Sequence, residues 1–412
     1  MGWSASQRWT LRVVCVSTAL LLLNVAAPNV ALREISESLD ASFSELQWVL
    51  SGYALALAVF LLTAGSLADR FGRKRLFLIG LAAFCATSVL CALAPGALTL
   101  IAARVAQGMA AAIVFPSSLA ILAQEFQGAD RRRAIGVWGA VIGLAFAAGP
   151  LIGGVLVEAL GWRSVFAVNL ALGLPAIALA VRHVGESRDP DPSPIDWAGV
   201  STLCLGLFLV VLAVLRGNAL GWTSAPVLGL LGAGVVALAA FVVVERRGRA
   251  PMIDLVLFRN QTFTGASLVI AVLAAATFGS FVYLTLFLLN VQGRSPIEAG
   301  FVLAPLAVVS FAVSALAGRA SERLPLRAAI VGGLLISAAG LALLLGLGPD
   351  ASWERIAIGL AVTGAGVGLV NPLATFAHLG VLPPAQGGLA SALNNTARQV
   401  GLAVGVAGLG AL

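Results

Sequence analysis

The chain is 412 residues long, 60% apolar and 10% charged, with a formal net charge of +7 and a mean hydropathy of +1.01. A soluble domain of this length cannot hide so much apolar surface in its own core, whereas a bilayer solvates it, so a soluble globular class is excluded. The basic balance does not call for nucleic acid either, because the arginines punctuate apolar runs and face lipid headgroups from there.

With about 20 apolar residues per crossing, thirteen spans are expected. In chain order they are 12–31, 47–67, 76–95, 98–121, 135–157 and 164–182, then 197–215 and 225–244, then 263–290, 299–317, 327–347, 355–377 and 393–412. Lysine and arginine collect on cytoplasmic loops. Placing the N-terminus inside puts nineteen of the 25 basic residues on the cytoplasmic side, Arg398 among them. Five lie outside, and Arg104 lies within a span. The first outside loop, Arg33 to Glu45, is net acidic.

Span 1 carries Thr18-Ala19-Leu-Leu-Leu-Leu23-Asn24-Val25-Ala26-Ala27-Pro28, with no acid in it. After span 2 comes Gly65-x-Leu-Ala-Asp69-Arg70-x-Gly72-Arg73-Lys74-Arg75. A carboxylate at a helix C-terminus opposes the dipole unless cations pair with it, which neighbouring arginines can do, and Gly72 suits a tight turn. Span 4 holds Arg104-Val-Ala-Gln107-Gly108. A guanidinium about 10 Å deep in a span is costly and marks a wet cavity or a partner. In span 5, Gly139, Gly143, Gly149, Pro150, Gly153 and Gly154 let helices approach closely, and Pro150 removes a backbone hydrogen bond.

Several of these features recur. Gly318, Glu322, Arg323 and Arg327 repeat the Gly65 loop at an offset of 253 residues. Gly108 to Pro116 pairs with Gly364 to Pro372, and Gly149 with Gly405, at an offset of 256. Parallel repeats are how many transporters build two halves around a central site. The expected organisation is a six-helix half over 1–187, a two-helix insert over 188–250, and a second half of five spans over 251–412. Polar or aromatic residues within spans, Asn24, Gln107, Asn371 and Asn395 among them, are the candidates for lining a mostly apolar pocket.

The Gly65–Arg75 loop resembles the signature between helices 2 and 3 of the major facilitator superfamily, and Arg104-Val-Ala-Gln107-Gly108 resembles that family's second motif. Gly149-Pro150-x-x-Gly153-Gly154 is similar to its antiporter-type motif. The two extra spans, Trp162-Arg163 and Asn394-Asn395-Thr396-x-Arg398 resemble the fourteen-helix drug:proton antiporter branch. On that template the last helix is expected to be missing. The resemblance implies an all-α membrane protein with the major facilitator fold, and a cytoplasmic gating loop formed by Gly65, Asp69, Arg70, Gly72, Arg73, Lys74, Arg75, Glu322 and Arg323. It also implies that substrate or coupling roles fall to Arg104, Gln107, Gly108, Asn24, Asn371 and Asn395. The aspartate that the family's first helix carries as a proton site is Ala19 here, and no Asp or Glu lies deep in any expected span.

The expected function is export of lipophilic or cationic small molecules by alternating access in exchange for protons, with no cofactor beyond the proton gradient. An uncoupled facilitator and a non-transporting remnant remain the alternatives. No catalytic group, metal site or nucleic-acid partner is expected: there is no P-loop or His-Glu-x-x-His, and Cys15, Cys85, Cys91 and Cys204 lie singly in apolar runs. The expected setting is a bacterial plasma (inner) membrane, as a monomer in contact with lipid.

Overall fold

A computed structural model describes residues 3–190, 196–248, 253–320, 325–383 and 386–410. Among the described residues the chain is all helical. The elements are α1 (Ala5–Ala26), α2 (Pro28–Leu39), α3 (Phe43–Phe71), α4 (Arg73–Ala92), α5 (Ala97–Glu125), α6 (Gly128–Leu160) and α7 (Ser164–His183). They continue as α8 (Trp197–Leu220), α9 (Ala225–Arg247), α10 (Gln261–Leu286), α11 (Pro296–Ala320), α12 (Leu326–Leu343), α13 (Trp353–Leu379) and α14 (Gly387–Gly410). Eleven helices among the described residues are long and apolar enough to cross a membrane. Large apolar side chains such as Leu98, Val236 and Leu335 are more than 60% exposed, the inverse of a soluble surface and the arrangement a bilayer favours.

The helices begin and end within seven residues of the expected spans, α1 and α6 starting early at Ala5 and Gly128, and two further differences bear on the site. Residues 32–46, expected as part of a loop, are largely taken up by α2. It continues α1 after Ala27, whose backbone stays helical, with Pro28 as the first residue of the new segment. Pro28 cannot donate to the preceding turn; the Asn24 carbonyl it leaves free accepts from Arg104 Nη2 at 3.1 Å, and the Asn29 side-chain amide donates to the carbonyls of Val25 and Ala26, both at 3.1 Å. The second difference is α14, which starts at Gly387 and not near 393.

The sequence echoes correspond to repeated packing. Gly108 of α5 lies directly on the carbonyl of Tyr53 in α3, as Gly364 of α13 lies on that of Leu306 in α11; at each, a β-carbon would overlap the neighbouring backbone. Likewise Gly149 of α6 lies against Ala26 of α1, and Gly405 of α14 against Ala275 of α10. Close backbone approach at small residues is the main adhesive between helices that lipid solvates as well as protein does. The two repeats meet where α6 packs on α11 and α13, and where α14 packs on α3 and α5. Helix α8 rests against α3 and α14 and pairs with α9.

Candidate functional site

Three features stand out, two on the seam between the repeats and one inside the first repeat. The first is at the N-terminal face, where α3 ends. The Asp69 carboxylate accepts from Arg73 of the following helix, at 2.9 Å from Nε and 2.8 Å from Nη2. It also accepts from two backbone amides at the start of α14, Gly388 at 2.6 Å and Leu389 at 2.8 Å. Asp69 therefore sits at the C-terminus of its own helix and caps another from a distance of 319 residues. The orphan amides and positive dipole end of α14 stabilise it along with Arg73. Gly65, one turn earlier, has no room for a β-carbon beside Gly388 and Ala392.

The turn itself needs Gly72, whose φ is +106°, a region costly for other residues. A side chain there would also press on the Glu186 carboxylate, which caps α4 by accepting from the Lys74 and Arg75 amides, both at 3.1 Å. Lys74 reaches the Val181 carbonyl at 2.8 Å. Glu322 and Arg323, the expected counterparts in the second repeat, lie outside the described residues. Arg70 follows Asp69 in the last turn of α3, its guanidinium over the Phe71 ring.

The second feature is a polar network inside the first repeat. Arg104 is 1% exposed. Its Nε donates to the Val49 carbonyl (2.9 Å), Nη1 to Gln107 Oε1 (2.7 Å) and Nη2 to the Asn24 carbonyl (3.1 Å). The guanidinium also lies over the Tyr53 ring at 4.4 Å. Gln107 donates to Ser88 (2.7 Å) and to Asn24 Oδ1 (3.3 Å). Asn24 and Asn169 exchange amide bonds of 2.7 and 3.1 Å. Five helices, α1, α3, α4, α5 and α7, are tied together here. Asn24, Arg104 and Gln107, expected to take substrate or coupling roles, bond here to each other, to Ser88 and Asn169 and to backbone carbonyls, and Gly108 beside them is a packing contact. Ser88 and Asn169 belong to the cluster and escaped sequence reading, though Asn169 is a visible polar residue within an apolar span.

The third feature is a cavity between the repeats. Gly139, Ile142 and Gly143 of α6 form one wall. Leu273, Thr277 and Phe281 of α10 face them, with Leu306 and Ser310 of α11, Val367 and Asn371 of α13 and Arg398 of α14 completing it. Of the expected cavity residues only Asn371 is here. Asn395 is buried, its amide donating to the Ser391 carbonyl at 2.9 Å. Arg398, counted as a cytoplasmic face residue from the sequence, is corrected to a buried position, eleven residues into α14, and its Nη2 donates to Asn371 Oδ1 at 2.9 Å. Gly149 and Gly153 of the antiporter-type motif dock α6 onto Ala26 and Ala27, at the Pro28 break. A β-carbon on Gly154 would come within van der Waals reach of Val30 and of Ile297 in α11, and Pro150 lies in the same unbroken helix α6. Among the described residues no group of His, Cys, Asp or Glu could hold a metal ion.

A Major Facilitator Superfamily profile matches residues 14–406. The multidrug resistance protein Stp of Mycobacterium tuberculosis is 36% identical over 409 residues, which is 99% of this chain and 76% of that one. The tetracenomycin C resistance and export protein of Streptomyces glaucescens is 33% identical over 98% of this chain and 75% of its own. In three dimensions, the human organic anion transporter MFSD10 (TETRAN) superposes with a TM-score of 0.69 over 97% of this chain and 92% of that chain, at 17% identity, which establishes likeness of fold.

Proposed function

The chain belongs to the major facilitator superfamily, and on that premise we propose that it is an exporter of amphipathic small organic molecules working by alternating access. The observation that carries this reading is the contact at Asp69, where a carboxylate from one repeat holds the first turn of a helix in the other at the N-terminal face. An ion-paired cap of this kind is made or broken as a unit, so it suits a gate whose two sides separate and rejoin. The names of the relatives, drug resistance and antibiotic export, support the same direction of transport here. In this reading the N-terminal face is cytoplasmic, the membrane is a bacterial plasma membrane, the protein works as a monomer, and residues 1–187 and 251–412 are the moving halves with 188–250 as an insert of the fourteen-helix type.

Exchange for protons is the proposed energy source. One observation favours an uncoupled facilitator instead: no Asp or Glu is among the described residues that line the cavity, and a proton-coupled carrier needs a titratable group that alternates access. The test is flux of a fluorescent organic solute in proteoliposomes with and without an imposed pH gradient. An antiporter accumulates the solute only while the gradient lasts and stops with an uncoupler. A facilitator equilibrates it regardless, and no flux under any condition removes the transport reading.

A further inference from the structure

Arg398 is 8% exposed and faces the cavity between the repeats. A guanidinium carries five N–H donors and stays charged. Among the described residues one hydrogen bond holds this one, to the neutral amide of Asn371 at 2.9 Å, and its buried Nε has no partner there. No carboxylate is among the described residues lining the cavity to compensate it. A buried cation left this way is costly unless a partner of opposite charge arrives. The rest of the wall supplies apolar surface from Ile142, Leu273, Phe281 and Leu306, and two hydroxyls from Thr277 and Ser310. Across from Asn371 and Ser310, Gly139 and Gly143 contribute no side chain, and a β-carbon on either would meet nothing closer than 3.7 Å.

We infer that Arg398 is the anchor of an organic-anion subsite: the cavity of about 50 Å³ admits the carboxylate or phenolate of an otherwise apolar solute onto the free donors of the guanidinium, and the solute's body packs on the apolar walls when the repeats part. Asn371 orients the guanidinium through the one bond it makes. The inference rests on the export reading and reverses the charge first expected of the substrate. A lipophilic cation would enter beside an uncompensated positive charge at low dielectric, where repulsion is strong. An acid meets a planar donor array that binds carboxylates in pairs of parallel bonds.

The test uses two dyes with one xanthene core and opposite charge, anionic fluorescein and cationic rhodamine 123. Their binding to the purified full-length chain is followed by fluorescence polarisation. Fluorescein should bind at least about tenfold more tightly, the scale of one charge-assisted hydrogen bond. Arg398→Gln should weaken it by about tenfold or more, and Arg398→Lys should restore part of the loss. Asn371→Asp keeps Arg398 in place and puts a carboxylate on it, so it should also release fluorescein while improving rhodamine 123. That variant separates loss of the site from loss of the fold. Tighter rhodamine 123 binding, no fluorescein binding to the unmodified chain, or binding indifferent to both Arg398→Gln and Asn371→Asp would each overturn the anion subsite. Fluorescein bound at Arg398 yet never moved across proteoliposomes would overturn the export reading and leave the subsite standing. Rhodamine 123 carried with no dependence on Arg398 would do the reverse.

Discussion

Three arginines are buried among the described residues; Arg73 is paired with Asp69, and the surroundings of the other two are opposite. Arg104 donates to two backbone carbonyls and a glutamine from three different nitrogens and lies over an aromatic ring. Arg398 makes one bond among the described residues. Burial alone therefore does not separate a scaffold residue from a functional one; the count of satisfied donors does. A guanidinium whose donors are already used binds helices to each other, and one whose donors are idle stores an interaction for something that comes and goes.

Removing each arginine sharpens that contrast. Arg104→Ala strands the carbonyl of Asn24, whose in-helix donor position is Pro28, and the side-chain oxygen of Gln107, both buried. Each unmet group costs roughly 1–3 kcal/mol, so the variant should lose about 2–6 kcal/mol and melt well below the parent in detergent, or fail to purify as a single species. Arg398→Gln removes an under-compensated charge and should leave the melting temperature nearly unchanged or raise it. Equal losses in the two variants would place Arg398 in the scaffold with Arg104.

The contrast also marks how far the sequence could be read. Hydropathy locates the membrane helices because a crossing demands a long apolar run whatever it packs against. The Gly65–Arg75 loop is legible because its constraints are local: a turn needing φ of +106° at Gly72, and a cation four residues from Asp69. The partner of Asp69 is not local. Helix α14 opens with Gly387, Gly388 and Ser391, residues too small and weakly apolar to register as a membrane span, and its cap comes from another repeat. The start was consequently read several residues late, and Arg398 looked like a residue at the membrane face. At 1.5 Å per residue it lies about 16 Å along the helix from Gly387. The Arg104 cluster was legible as residue types and not as an arrangement. Asn24, Ser88, Gln107 and Asn169 come from four helices, and no spacing along the chain says that they meet.

An anionic substrate changes what the missing membrane acid implies. A cell interior negative by 100 mV expels each unit of negative charge with about 2.3 kcal/mol, close to a fiftyfold concentration ratio. A carrier of organic anions can then export without exchanging a proton, and Ala19 in place of an acid costs it nothing. Proteoliposomes made interior-positive with a potassium gradient and valinomycin should accumulate fluorescein against a concentration gradient at uniform pH. Accumulation that appears only with a pH gradient would show that protons are coupled after all and that a carboxylate at the edge of the bundle carries them.

The smallest effect is expected at the proposed gate. Asp69→Asn removes the ion pair with Arg73 and leaves the amides of Gly388 and Leu389 facing a neutral acceptor. A charge in the first turn of a helix contributes up to about 2 kcal/mol when partly buried, so the closed N-terminal face should lose about 1–2 kcal/mol of its preference, a factor of five to thirty in population. Ser391 sits one turn below the contact and is fully buried. In a background with the four native cysteines replaced, a cysteine at that position should react with a maleimide five to thirty times faster in the Asp69→Asn chain. Binding at Arg398 need not change, because the two sites share no side chain. An unaltered labelling rate would mean that the packing of α14 on α3 and α5 closes this face by itself, with the Asp69 cap following that motion instead of setting it.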